Sequence, residues 1–147
     1  MKRGFAVLVF LAATPLAAVA HDVQAQFTVS AVVMPRASIE TVSQPPQFPV
    51  SEQDIARGYV DVAAVYRVRN NDPLGYLVRL VPRTGLTRSV EVSGLASPVV
   101  MHDEIVEVSQ PAALRSQELI LRFRLVLDAA ATPGTYAMPV QVVVATL

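Results

Sequence analysis

Cysteine and tryptophan are absent from this chain, and lysine occurs once, at position 2. Without cysteine there is no disulfide framework, no thiol nucleophile and no thiolate metal ligand, so apolar burial has to hold whatever fold forms. Histidine is almost as scarce, with His21 and His102 the only two. A Ser-His-Asp grouping needs one of them. His102 is followed by Asp103 and Glu104, but in extended backbone these neighbours point to opposite sides, which disfavours a shared acid/base pair. No Gly-rich phosphate loop and no His-x-x-x-His pair occurs. The sequence therefore reads as a non-enzyme and calls for no cofactor. Charge is equally uninformative for polyanions: beyond Ala20, ten arginines stand against twelve acids, a net charge near −2. That balance argues against nucleic acid as a partner.

What is present begins with a secretory pattern over residues 1–20. Lys2 and Arg3 open it, residues 5–13 form an uncharged apolar run, and Ala18-Val19-Ala20 supplies small residues before a cleavage point. The run is too short to span a bilayer and Pro15 interrupts it, so the expectation is export to the periplasm or cell surface with no membrane span after processing. Cleavage after Ala20 is the first choice, and Val23-Gln24-Ala25 permits a second after Ala25.

Residues 21–147 suffice for one domain. Period-two alternation recurs along them, which is the signature of half-buried strands. Residues 59–69 predict a strand with Val60, Val62, Ala64, Tyr66 and Val68 inward, and residues 118–127 another with Leu119, Leu121, Phe123, Leu125 and Leu127 inward. Asn70-Asn71-Asp72-Pro73-Leu74-Gly75 reads as a turn, with residues 76–81 returning as the second arm of a hairpin. Ser51 and Gly58 bracket the one helix-like piece. Residues 43–49, with Pro45 and Pro46 adjacent, read as loop or sheet edge. Tyr136, Met138, Val140, Val142 and Val144 alternate along one closing strand. The fold class expected is all-β, an immunoglobulin-like antiparallel β-sandwich of about seven or eight strands, either complete or short of one.

The stretch at residues 23–33 stands out. Val23, Ala25, Phe27, Val29, Ala31 and Val33 share one parity, while Gln24, Gln26, Thr28 and Ser30 share the other. Such a strand either pairs at home as a sheet edge or adds to a neighbour's sheet. Its six apolar side chains represent on the order of 6–10 kcal/mol of burial before ordering costs. Two further readings stay open. Cleavage after Ala20 would leave His21 as an N-terminal residue whose amine and imidazole, with His102, suit Cu(II), as in periplasmic copper-binding sandwiches. The domain could instead bind one periplasmic protein partner by edge pairing. The outward arginines 67, 69, 79, 122 and 124 read as a solvated face balanced by Asp61, Glu91 and Glu107.

Gln26-Phe27-Thr28-Val29-Ser30-Ala31-Val32-Val33, the Asn70-Asn71 turn leading to Gly75-Tyr76-Leu77-Val78, and Pro133-Gly134-Thr135-Tyr136 before the last strand resemble subunits of the spore coat protein U and archaic chaperone–usher pilin group. Those subunits usually carry a cysteine soon after the first strand, where this chain has Met34-Pro35-Arg36-Ala37. The resemblance implies a structural or accessory subunit of a surface fibre (fimbrium), assembled by β-strand addition with like or related subunits, a periplasmic chaperone and an usher. On that basis residues 23–33 are the expected donor strand, and the acceptor groove is expected to be bordered by Tyr136, Met138, Val140, Val142 and Val144.

Overall fold

The computed structural model describes residues 28–83, 85–112 and 116–147. Residues 1–32 and 33–147 are separate compact units. Of the first, residues 28–32 are described: they are exposed and have no regular secondary structure. The expected signal segment, His21, Val23, Ala25 and Phe27 lie outside the described residues.

The second unit runs β1 (Ala37–Ser43), β2 (Gln47–Val50), α1 (Glu52–Arg57), β3 (Tyr59–Asn70), β4 (Tyr76–Pro82), β5 (Thr87–Ser93), β6 (Val99–Met101), β7 (Val106–Gln110), β8 (Gln117–Leu127), β9 (Gly134–Ala137) and β10 (Val140–Thr146). Every pairing is antiparallel, in sheets ordered β1-β3-β8-β5-β6 and β10-β4-β7, with a two-stranded ribbon β2-β9. The all-β antiparallel sandwich is as expected, with the short strands split more finely.

The spine is β3 against β8, in register from Tyr59 opposite Val126 to Val68 opposite Gln117. Their alternation puts Val60, Val62, Ala64, Tyr66 and Val68 in one core with Leu119, Leu121, Phe123, Leu125 and Leu127. From the other sheet Tyr76, Val78 and Leu80 enter the same core. Burying each such Leu or Phe contributes about 1.5–3 kcal/mol. The helix forms where its caps dictate. Ser51 and Asp54 make a reciprocal capping box, and Gly58 ends the helix in the left-handed region at φ 82°. Hydrogen bonds from Ser51 and the Arg57 guanidinium hold the Asp54 carboxyl below its usual range.

Two expectations are corrected. The turn after Asn70 does not close a hairpin, because β4 pairs with β10 and β7 rather than with β3. Buried Asn70 donates to the Asp72 and Gly75 carbonyls at 2.9 and 3.2 Å and accepts from the Asp72 N–H at 3.1 Å, fixing a crossing between sheets. Residues 136–144 are not one strand: Pro139, which has no N–H to donate, separates β9 from β10. Residues 43–49, read as loop or sheet edge, lead into the edge strand β2, whose Pro49 lies opposite Thr135.

Candidate functional site

The sandwich has two side margins, and one is left open. β1 ends the five-stranded sheet and β10 ends the three-stranded one. The two strands lie alongside each other without pairing. β10 bonds to β4 along its whole length, from Val140 opposite Pro82 to Thr146 opposite Tyr76. Its other edge meets no strand among the described residues. Antiparallel pairing uses alternate residues on each edge, so about half of the β10 backbone groups face this opening. Met138 N–H donates to the Pro46 carbonyl at 3.0 Å and closes one end of the seam. Beside that closure lies a pocket of about 490 Å³, with Thr41, Gln44 and Pro46 on one wall and Met138, Val140 and Gln141 on the other. Arg83 donates to the Gln141 side-chain carbonyl at 2.8 Å, so that guanidinium is held on its own sheet rather than across the gap.

The border residues expected from sequence fall here in part. Met138, Val140 and Val142 are buried and Val144 packs against the core from a half-buried position. Tyr136 belongs to β9, where its ring lies 6.2 Å from Phe48 and its hydroxyl donates to the Thr132 carbonyl at 2.8 Å. It supports the ribbon rather than the seam. The opposite wall, β1, was not named from sequence. The available signal was the Ala37, Ile39, Thr41 parity, whose apolar content is slight.

Thr28 and the residues after it do not form the first strand of the sandwich. Residues 28–36 pair with no strand, and β1 starts at Ala37. Of the stretch 23–33 expected as an edge or donor strand, residues 28–33 carry no regular secondary structure. Pro35 lies between the stretch and β1, which pairs with β3. Val29, Val32, Val33 and Met34 are 77% to 91% exposed, and Ala31 is exposed as well. Just ahead of β1, Asn71 holds Met34 and Arg36. Asn71 accepts from the Arg36 N–H at 2.6 Å through its side chain, donates to the Met34 carbonyl at 3.1 Å, and gives its own N–H to the Arg36 carbonyl at 3.2 Å. Sequence reading had placed Asn71 in a turn by composition and missed this grip.

Tyr66, on β3 opposite Thr41 of β1, is buried with no hydrogen-bond partner for its hydroxyl among the described residues. Burial pushes that hydroxyl up to about 12. A buried hydroxyl left unpaired costs on the order of 1–3 kcal/mol.

Among the described residues no group of three or more His, Cys, Asp or Glu side chains is gathered to hold a metal. His102 is exposed, in the link between β6 and β7, and His21 lies outside the described residues. Four of the five outward arginines are ion-paired across strands, Arg67 to Glu40 and Glu118, Arg69 to Glu40, Arg79 to Glu107, and Arg124 to Asp61, while Arg122 has no ion pair among the described residues. No described helix is long and apolar enough to cross a membrane. Comparison with protein-family models, curated proteins and solved structures finds no match to this chain.

Proposed function

We propose that this protein is an exported, non-enzymatic structural or accessory subunit of a surface fibre, assembled by β-strand addition. In this reading residues 23–33 of one copy enter the seam between β1 and β10 of the next, with a periplasmic chaperone guarding the seam and an usher directing export. The observation that carries it is a pairing deficit with both halves on one chain. Apolar residues 28–34 are solvent-exposed and unpaired, while the β10 edge has unused backbone groups beside a pocket walled by β1. An exposed apolar stretch and an open strand edge are both liabilities for a lone molecule, and one docking event removes both. Val29, Ala31 and Val33 would then face the core beside Val140 and Val142, leaving Thr28 and Ser30 outward.

The test is the mass distribution of purified processed protein without a chaperone, read by light scattering. Oligomers are expected from the parent chain, and Phe27→Asp or Val29→Asp should leave monomers of unchanged melting temperature. A parent chain that stays monomeric at high concentration overturns the reading.

A further inference from the structure

Two pockets along the five-stranded sheet differ in charge. The larger, about 650 Å³, is lined by Arg122 and Arg124 and also by Asp61 and Glu91, so its cations have acids beside them. The smaller, about 450 Å³, is lined by Arg36, Ser38, Arg69, Asn70 and Asn71, two arginines and no acid. Strand register gathers these residues. Ser38 of β1 lies opposite Arg69 of β3, and Glu40 opposite Arg67. Just ahead of β1 the Asn71 N–H donates to the Arg36 carbonyl at 3.2 Å, and the Arg36 N–H donates to the Asn71 side-chain oxygen at 2.6 Å. These bonds set Arg36 opposite Asn71 and diagonally from Arg69. Diagonal neighbours in an antiparallel pair stand roughly 7–8 Å apart, within reach of long side chains. The backbone of Arg36 is pinned on both sides, so a ligand would have only its side chain to order.

The positive charge gathered there is poorly answered. Arg36 has no ion pair among the described residues. Arg69 approaches Glu40 only at 3.9 Å, outside hydrogen-bond reach, and the same carboxylate oxygen stands 3.9 Å from Arg67. Asp72, close by in sequence, is buried and accepts from the Leu74 N–H at 2.9 Å rather than lining the pocket. We infer that this pocket binds a tetrahedral oxyanion, a phosphate or sulfate group, clasped between the Arg36 and Arg69 guanidiniums with the Ser38 hydroxyl donating a third hydrogen bond. A guanidinium presents a planar fork of N–H donors that matches two oxyanion oxygens. Two forks set on different strands suit a group with four oxygens better than a planar carboxylate with two. Both the free ion and the same group carried on an acidic polysaccharide have this chemistry. The Arg69 side chain is 66% exposed, so the expected Kd is only on the order of 1 mM.

The test is arginine labelling of the purified processed chain with phenylglyoxal, read peptide by peptide by mass spectrometry. At constant ionic strength, ~10 mM inorganic phosphate in place of chloride should slow labelling of Arg36 and Arg69 by about tenfold and leave Arg122 unchanged. Arg36→Gln should abolish the protection of Arg69, and Arg69→Gln that of Arg36, because neither guanidinium holds the ion alone. Dextran sulfate and free sulfate then separate the two sources. Protection by the polymer at a far lower sulfate concentration assigns the group to a polysaccharide, and equal potency assigns it to the free ion. Labelling of Arg36 and Arg69 that ignores phosphate, protection that extends equally to Arg122, or protection of Arg69 that survives Arg36→Gln overturns the site. Phosphate and chloride are compared on the same protein, so the outcome does not depend on whether strand addition occurs.

Discussion

At one margin of the sandwich the five-stranded sheet ends in β6 and the three-stranded sheet in β7, and residues 102–105 join them directly. At the other the sheets end in β1 and β10, the first and last strands of the unit, which no loop can connect. The first margin is also tied across: Gln110 of β7 accepts through its side chain from the Ala96 N–H at 3.1 Å, in the loop before β6. The second carries the Met138 to Pro46 bond at one end and otherwise a pocket. The difference is topological before it is chemical. Chain continuity closes one side of the molecule and leaves the other without a connecting loop.

Substitutions at the tied margin should have the largest effect on folding. A Cβ on Gly75 would lie 2.1 Å from the Gln110 carbonyl oxygen, and Gly75 has φ +114°. Gly75→Ala combines a backbone clash with backbone strain, so a loss of about 3 kcal/mol or more is expected in urea unfolding. Gly58→Ala, at φ +82° with nothing within 4 Å, isolates the strain alone and should cost about 1 kcal/mol. Equal losses at the two positions would mean that the close approach to β7 contributes nothing.

Tyr66 sharpens the comparison from the open side. The folded state holds its proton up to about pH 12, against 10 for the ordinary phenol. Stability from this group is therefore full below pH 10 and drains away between pH 10 and 12, by about 2–3 kcal/mol. Tyr76 adds to the same alkaline loss, since burial raises it while the Gln117 hydrogen bond opposes the rise. Tyr66→Phe should flatten its share of the alkaline profile and leave stability at pH 7 unchanged or raised by about 1 kcal/mol, because the hydroxyl has no partner to lose. A clear loss at pH 7 would show that the hydroxyl is satisfied in the monomer.

How much of this was legible follows from the range of each signal. From Val60 to Val68 in β3 and from Leu119 to Leu127 in β8 every second residue is apolar and buried, so alternation alone assigned the facing side chains. The helix was equally local, since Ser51, Asp54 and Gly58 carry its caps within eight positions. The turn at residues 70–75 shows where composition stops. Asn, Pro and Gly announce a change of direction, but the sheet that the chain enters next depends on Asn70 becoming buried against the Asp72 and Gly75 carbonyls. Pro139 was hidden inside a parity that continues across it, from Met138 to Val140. The site was half visible for a related reason. Val140, Val142 and Val144 advertise a strand, whereas β1 carries little apolar material and faces the gap with Thr41. Residues 23–33 alternate as clearly as any strand in the chain, yet periodicity describes one side of a pairing and says nothing about who supplies the other.

The smallest effect is expected where the unpaired segment joins the sandwich. Asn71→Ala removes the acceptor for the Arg36 N–H and the donor to the Met34 carbonyl, while the backbone bond from Asn71 to the Arg36 carbonyl stays. Both lost bonds are exposed to water, so the cost to global stability should be only about 0.5–1.5 kcal/mol. The local consequence is larger than the global one, because opening free energies differ between segments of one protein. Limited proteolysis should cut residues 28–36 several-fold faster in the variant, with β3 and β8 as resistant as before. Unchanged cleavage would place the anchor of the segment elsewhere, and slower cleavage would mean that Asn71 holds it in the more accessible of its states.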